Sequence, residues 1–186
     1  MPQPAQQRYR FSYADIHHTL GLAAQEVIES GLEFDYILAI GGGGYIPARI
    51  LRTYLNRPIL SVALSRYSDD APPSDTPLKL QWTEGFAEAI RGKRLLVVDE
   101  VDDQRTTLAW CLNELNHESP SALSVLVLHD KNKRKNAEYP DYVDRVFVGQ
   151  RIEDYWVEYP WDALDIYGHE ETAQGLVDVE MPYGSH

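Results

Sequence analysis

Residues 94–108 read RLLVVDEVDDQRTTL, and the order of residue types in this stretch decides the architecture. Leu95 to Val98 is an apolar run that empties into Asp99, Glu100, Asp102 and Asp103. Behind the acids come Gln104, Arg105, Thr106 and Thr107. Leu108, Cys111, Leu112 and Leu115 then follow the i, i+3, i+4, i+7 spacing of a helix face. A buried strand therefore ends at the acids, and a helix starts at the threonines. In an open α/β sheet, ligands bind in the crevice beyond the carboxyl ends of the strands, which is where these charges fall.

The same alternation extends outward in both directions. Ser12, with Asp15 three residues on, predicts a capped first helix whose apolar face is Ile16, Leu20, Ala24, Val27 and Ile28, ended by Gly31. Tyr36–Ile40 and Ile59–Leu64 read as strands. Between them, four glycines lead into a helix with Pro47 in its first turn and a face of Ile46, Ile50, Leu51 and Tyr54. Ser124–Leu128 is a further strand and Arg145–Val148 a shorter one. Residues 68–76, SDDAPPSDT, read as a loop. Strand–helix–strand order over this length predicts an α/β fold, a twisted and mainly parallel sheet flanked by helices.

At 186 residues, with 44% hydrophobic and 25% charged residues, the chain is expected to form one domain with a substantial core. One cysteine, Cys111, leaves no internal disulfide framework and sits in helical phase with the core. No apolar run has the length of a membrane span, and MPQPAQQRYR lacks a signal-peptide apolar region. A cytoplasmic protein without membrane attachment is expected. The formal net charge of −12 argues against a nucleic-acid surface, which needs a basic footprint.

Chemistry concentrates in three places. A helix N-terminus offers unpaired N–H groups and partial positive charge, so residues 104–107 suit a phosphate. The neighbouring acids repel phosphate but suit sugar hydroxyls, a metal ion or a developing cation, a combination that fits a ribose 5-phosphate. A solvated acidic turn has the same composition. Gly41, Gly42, Gly43 and Gly44, in AIGGGGYIPARIL, allow backbone amides to approach a second anion without Cβ obstruction. Neither a Walker loop nor GxGxxG is matched, and a plain tight turn is the alternative. Third, LHDKNKRK (128–135) puts Lys131 just past a strand end, although such a run is often a solvated basic turn. DYWVEYPWDALD (154–165) gathers Tyr155, Trp156, Tyr159 and Trp161, either as core or as a flat face for an aromatic ring.

VVDEVDDQRTTL resembles the phosphoribosyl-pyrophosphate (PRPP) signature of type I phosphoribosyltransferases. IGGGGYIPARILRTYL, VLHDK and YPWDALDI are similar to the fungal hypoxanthine-guanine members, and the Trp-Val-Glu-X-Pro-Trp-Asp stretch to bacterial xanthine-guanine enzymes. The resemblance implies that Asp99 and Glu100 bind the ribose hydroxyls and that the loop 103–107 holds the 5′-phosphate. Asp103 would act as general base, and Gly41–Gly44 would take the pyrophosphate. It further implies Lys131 at the O6 of a 6-oxopurine, Trp156 stacked on the base and the Val157 main chain at its exocyclic position. Ser65, Arg66 and Tyr67 would open a lid. Mg²⁺ would lie near Asp99 and Glu100 and near Asp162, with Asp165 as the alternative to Asp162. Residues 12–150 would form the core, with a hood from 151–186 and the N-terminal segment.

Two departures stand out. The family has Thr-Gly where this chain has Gln104-Arg105, so either the loop loses its glycine geometry or Arg105 adds a phosphate contact. Relatives often carry Lys or Arg where Gly42 stands, which leaves the pyrophosphate to amides and Mg²⁺. The expected activity is purine salvage from PRPP and a 6-oxopurine, by a homodimer or homotetramer. The alternatives are a non-catalytic PRPP or nucleotide sensor, and a transferase for another base.

Overall fold

The computed structural model describes residues 8–65, 78–82 and 84–173. The expected lid residues Arg66 and Tyr67, the loop 68–76 and the tail from 174 lie outside them, as does the side chain of Ser65. Elements follow in the order β1 (Arg8–Arg10), α1 (Tyr13–Glu29), β2 (Tyr36–Gly41), α2 (Tyr45–Leu55), β3 (Ile59–Ser65), β4 (Leu78–Gln81) and α3 (Glu84–Ile90). Then come β5 (Arg94–Asp102), α4 (Thr106–His117), β6 (Ala122–Lys131), β7 (Val143–Ile152), β8 (Trp156–Glu158) and α5 (Ile166–Glu171).

Six strands form one sheet in the order β4-β3-β2-β5-β6-β7, parallel throughout except for β4, which runs antiparallel to β3. Alternate side chains of each strand enter opposite layers, as the pleat requires. In β5, Leu96 and Val98 join the layer built with α1 and α2. Leu95 and Val97 join the layer that holds Leu108, Cys111, Leu112 and Leu115 of α4. Burial on both faces is why these strands read as unbroken apolar runs. Cys111 is buried, and burial pushes its thiol pKa up. No described helix is long and apolar enough to cross a membrane.

Chain order reverses direction at the β2–β5 pair: β3 lies outward on one side and β6 on the other. That pair is the topological switch point, and the loops after both strands open onto its crevice. α1 begins as the sequence predicts. Ser12 Oγ accepts from Asp15 N at 3.1 Å, and Asp15 Oδ2 accepts from Ser12 N at 2.9 Å, the reciprocal capping box. Gly31 takes φ 67 just past the helix end.

Four details differ from expectation. The buried side of α2 is Pro47, Ala48, Leu51 and Leu55, whereas Tyr54 is 42% exposed. A Cβ at Gly21 would lie 3.1 Å from Tyr54 Oη, so the glycine leaves room for the Tyr54 hydroxyl end against α1. Ile28 sits on the exposed side of α1. β7 runs to Ile152 because its pairing with β6 continues through Lys131↔Ile152, past Gln150 and Arg151, whose polar side chains break the apolar signal. β4, at the sheet edge, is short and was not foreseen.

Beside the main sheet, β1 and β8 pair in parallel, Arg8↔Trp156 to Arg10↔Glu158. Glu158 accepts from Arg8 and, at 2.6 Å, from Arg10 Nε. His169 of α5 is buried with its Nε2 2.9 Å from the Phe11 carbonyl. The N-terminal strand is thereby joined to the segment after β7.

Candidate active site

The carboxyl end of β5 carries the acids. Asp99 is buried. Burial, followed by the charge of adjacent Glu100, holds its carboxyl well above the usual range, and its Oδ1 accepts from Glu100 N at 3.0 Å. Glu100 leans toward the glycine loop: a Cβ on Gly43 would fall 1.9 Å from the Glu100 carboxyl carbon. The space a side chain would need at Gly43 is filled by a carboxylate of the neighbouring strand. A Cβ on Gly44 would meet the carbonyl oxygens of Ile40 and Val98, each at 2.6 Å. The Gly41–Gly42 peptide is cis.

Beyond the acids, the loop and first turn of α4 surround a cavity of about 140 Å³ lined by residues 99 and 101–108. Arg105 stands at the N-cap of α4 with φ 61, so the backbone keeps the left-handed turn even without glycine. Its side chain makes no cap bond. The Arg105 guanidinium turns inward instead, with Nε 2.8 Å and a terminal nitrogen 2.7 Å from Asp102 Oδ2, and lies 3.9 Å over the Tyr139 ring. The glycine geometry is thus kept at φ 61, and two of the five guanidinium donors are directed at Asp102. The first-turn amides of α4 lack partners within the helix and face the cavity.

Segment 131–139 braces this loop from outside. Lys135 Nζ donates to the carbonyls of Asp102 at 2.6 Å and Asp103 at 3.1 Å, and pairs with Asp130 at 2.7 Å. Asn136 N donates to Gln104 O at 3.0 Å, and its Nδ2 to Thr106 Oγ1 at 3.1 Å. Tyr139 Oη donates to Asp102 Oδ2 at 3.2 Å. Rather than a solvated basic turn, the alternate lysines 131, 133 and 135 all point at acids of the β5 loop.

Asp103 is half-exposed. Burial raises its pKa, but the hydrogen bond from Lys133 and the charges of Lys131 and Lys133 outweigh this and lower it overall. Lys131, buried, lies 3.2 Å from Asp103 Oδ1. On the far side of the acids, Tyr159 is buried and donates to the Glu100 carbonyl at 3.1 Å, while its oxygen lies 2.8 Å from His129 Nδ1. That geometry makes Nδ1 the protonated nitrogen of His129. Burial pushes the His129 pKa down to about 3, so the ring is neutral.

A second and larger cavity, about 700 Å³, lies in the hood and brings together Trp156, Val157 and Asp162 with Arg10 and Leu164. Lys131 does not line it. Trp156 is 58% exposed. Volume marks room for a flat ring here, whereas the charged chemistry sits at the smaller cavity. Asp165 accepts from Gly168 N at 3.1 Å and caps α5, and Asp162 stays exposed on the turn Pro160–Asp162. Asp99, Glu100 and Asp162 do not gather into one group: among the described residues, no three acids, histidines or cysteines do.

Sequence reasoning named Asp102 and Tyr159 only as members of the acidic and aromatic clusters, and passed over His129, Lys133, Lys135, Asn136, Tyr139 and Asp154. The one available signal was the strict alternation of lysines after β6.

Known proteins share this pattern. The Phosphoribosyl transferase domain matches residues 12–162. The hypoxanthine-guanine phosphoribosyltransferase of Schizosaccharomyces pombe is 36% identical over 93% of this chain and 98% of its own. Xanthine phosphoribosyltransferase 1 of Saccharomyces cerevisiae is 34% identical over 90% and 96%. Among solved structures, a hypothetical protein from Neisseria gonorrhoeae with bound ppGpp matches at TM-score 0.84 and 41% identity, over 92% of this chain and 98% of its own. A purine phosphoribosyltransferase from Pyrococcus horikoshii matches at TM-score 0.67 and 19% identity over 85% and 96%, a likeness of fold.

Proposed function

The chain belongs to the phosphoribosyltransferase family, and from that premise we propose that it moves the 5-phosphoribosyl group of PRPP onto N9 of a 6-oxopurine, in purine salvage. Hypoxanthine and guanine are the expected bases, with xanthine a third. The observation that carries this reading is the Glu100 carboxylate resting in the space beside Gly43, which puts the glycine loop and the acids in one crevice at the switch point.

Each group then has a task. The 5′-phosphate lies on the amides and hydroxyls of 104–107 at the α4 N-terminus, where dipole and donors offset the chain's overall negative charge. Gly41–Gly44 hold the pyrophosphate through backbone amides, and Asp99 and Glu100 accept from the ribose hydroxyls. The purine stacks on Trp156, with Lys131 donating to O6 and the Val157 main chain at the exocyclic position. As the bond from C1′ to pyrophosphate oxygen breaks, its electrons leave with pyrophosphate, and the acids steady the cationic sugar. N9 then bonds to C1′, and Asp103 takes the N7 proton.

Mg²⁺ is held by one or two carboxylates plus substrate phosphates rather than by a full protein cage. Asp99 and Glu100 fit that requirement, because a divalent cation relieves a buried carboxyl pressed by a second acid. Exposed Asp162 offers a second contact near the hood. With Mg²⁺ bound, charge on the departing pyrophosphate is neutralised.

Incubation with PRPP, Mg²⁺ and each base in turn tests the reading. Nucleotide should form with 6-oxopurines and not with adenine, and the absence of product with every base would refute it. Asp103→Asn should lower kcat by about 10²–10⁴-fold with little change in the KM for PRPP. Light scattering should give a homodimer or homotetramer.

One observation favours a second reading. The Neisseria relative holds ppGpp, a guanosine with diphosphates at two positions, and such a ligand matches a site with two anion cradles and a purine face. In this reading ppGpp competes with PRPP. An unchanged KM for PRPP in its presence would remove that reading and leave the transferase untouched.

A further inference from the structure

Lys133 is the cation that the reaction scheme leaves unused, and it sits at the proton acceptor. β6 ends at Lys131, where Asn132 N donates to Ile152 O at 2.7 Å. Lys133 N then donates back to Lys131 O at 2.8 Å. This tight turn returns the chain, so both ammonium groups arrive at one place. Lys133 Nζ lies 2.9 Å from Asp103 Oδ1 and 2.8 Å from Asp154 Oδ1. Lys131 Nζ lies 3.2 Å from the same Asp103 oxygen and 3.8 Å from Asp154. Two carboxylates and two ammonium groups form a closed ring, and both lysines converge on Oδ1 of Asp103.

A bound purine draws on two members of that ring. Lys131 turns one of its three N–H donors to O6, which loosens its hold on Asp103, and Asp103 must keep its negative charge to accept a proton. We propose that Lys133 is a positioning residue that stays on Asp103 Oδ1 when Lys131 moves to the purine, holding the carboxylate ionised with Oδ2 turned to N7, and that Asp154 is the counter-charge that lets Lys131 go. This inference rests on the assignment of Asp103 as proton acceptor. Nearby, Lys135 donates to the Asp103 carbonyl and Arg105 pairs with Asp102. Among the described residues, Lys131 and Lys133 are the cations paired with the Asp103 carboxylate.

Two readouts test it. In Lys133→Met the acid limb of kcat/KM for the purine should move up by roughly one pH unit, the effect of removing an opposite charge within contact distance. Lys133→Arg should restore it. Asp154→Asn should raise the purine KM several-fold and leave the PRPP KM alone, because Lys131 is then held by Asp103 only. Carboxyl NMR of Asp103 across pH, in wild type and Lys133→Met, reads the same shift without turnover; Lys133→Gln replaces the methionine variant if that one fails to fold. An Asp103 titration unmoved by loss of Lys133 overturns the inference, as does a uniform loss of activity at every pH with the limb in place. Should the wild-type protein make no nucleotide at all, the transferase reading fails, and the NMR arm alone still decides whether Lys133 governs Asp103.

Discussion

The loops after β2 and β5 stand side by side at one end of the sheet, yet one is nearly all backbone and the other is strung with ion pairs. Residues 41–44 carry no side chains, and the room they leave is used by Glu100 from one side and by the Ile40 and Val98 carbonyls from the other. The loop 102–106 has no glycine. Its left-handed residue is an arginine, tied to buried Asp102, covered by Tyr139, and braced by Lys135 and Asn136. A loop can be fixed by leaving nothing that could clash, or by making every side chain answer to a partner. The first route leaves the backbone open to close approach. The second keeps a small pocket in shape while admitting a bulky residue where glycine is common.

Arg105→Gly probes this contrast hardest, since it converts the second loop to the chemistry of the first. Glycine accepts the positive φ, but buried Asp102 is left with the Tyr139 hydroxyl at 3.2 Å and, 3.7 Å away, Lys135. Denaturant unfolding should show a loss of about 3 kcal/mol. A gain in stability would mean that the brace is dispensable and the left-handed arginine merely strained. Gly44→Ala comes next, because its neighbours are main-chain oxygens that cannot swing aside. A loss of about 1–3 kcal/mol is expected. In Gly43→Ala the obstacle is the tip of a movable side chain, so the thermal midpoint should hold while the KM for PRPP rises about tenfold, roughly 1.4 kcal/mol. Equal destabilisation of both alanine variants would erase the distinction between the two glycines.

The smallest effect at neutral pH belongs to His129→Phe. His129 is neutral in the fold, with its pKa pushed down to about 3 from the ordinary 6.5. A folded value below the unfolded one gives stability that is complete above pH 6.5 and is lost as pH falls toward 3. The slope is at most about 1.4 kcal/mol per pH unit. The phenylalanine variant should show a flatter decline between pH 7 and 4 by urea unfolding. An unchanged slope would mean that His129 takes up no proton on unfolding.

Much of the skeleton was readable beforehand because it depends on local order. Ser12 and Asp15 announce a cap, Leu95–Val98 a strand buried on both faces, and the run from Asp99 to Thr107 a strand end followed by a helix. What stayed hidden depends on partners distant in sequence. Arg105 has the same letters whether it faces a phosphate or Asp102, and only the approach of Tyr139 and Lys135 decides between them. The lysines at 131, 133 and 135 look like a solvated patch until β6 is registered against β5 through Asp102↔Asp130, which brings them over the acids. Strand ends interrupted by polar residues, such as Gln150 and Arg151 of β7, lack the apolar run that marks a buried strand. Tyr54 was misjudged for a related reason: its surroundings, not its type, set its exposure.

The pairing of β1 with β8 has a consequence for biosynthesis. Arg10 and Glu158 are 148 positions apart, and translation proceeds at about 5–20 residues per second. β1 therefore leaves the ribosome on the order of seven to thirty seconds before its mate, with an open hydrogen-bonding edge throughout. The loops after β2 and β5 can both be finished within that interval, so the β1–β8 pair takes shape after them.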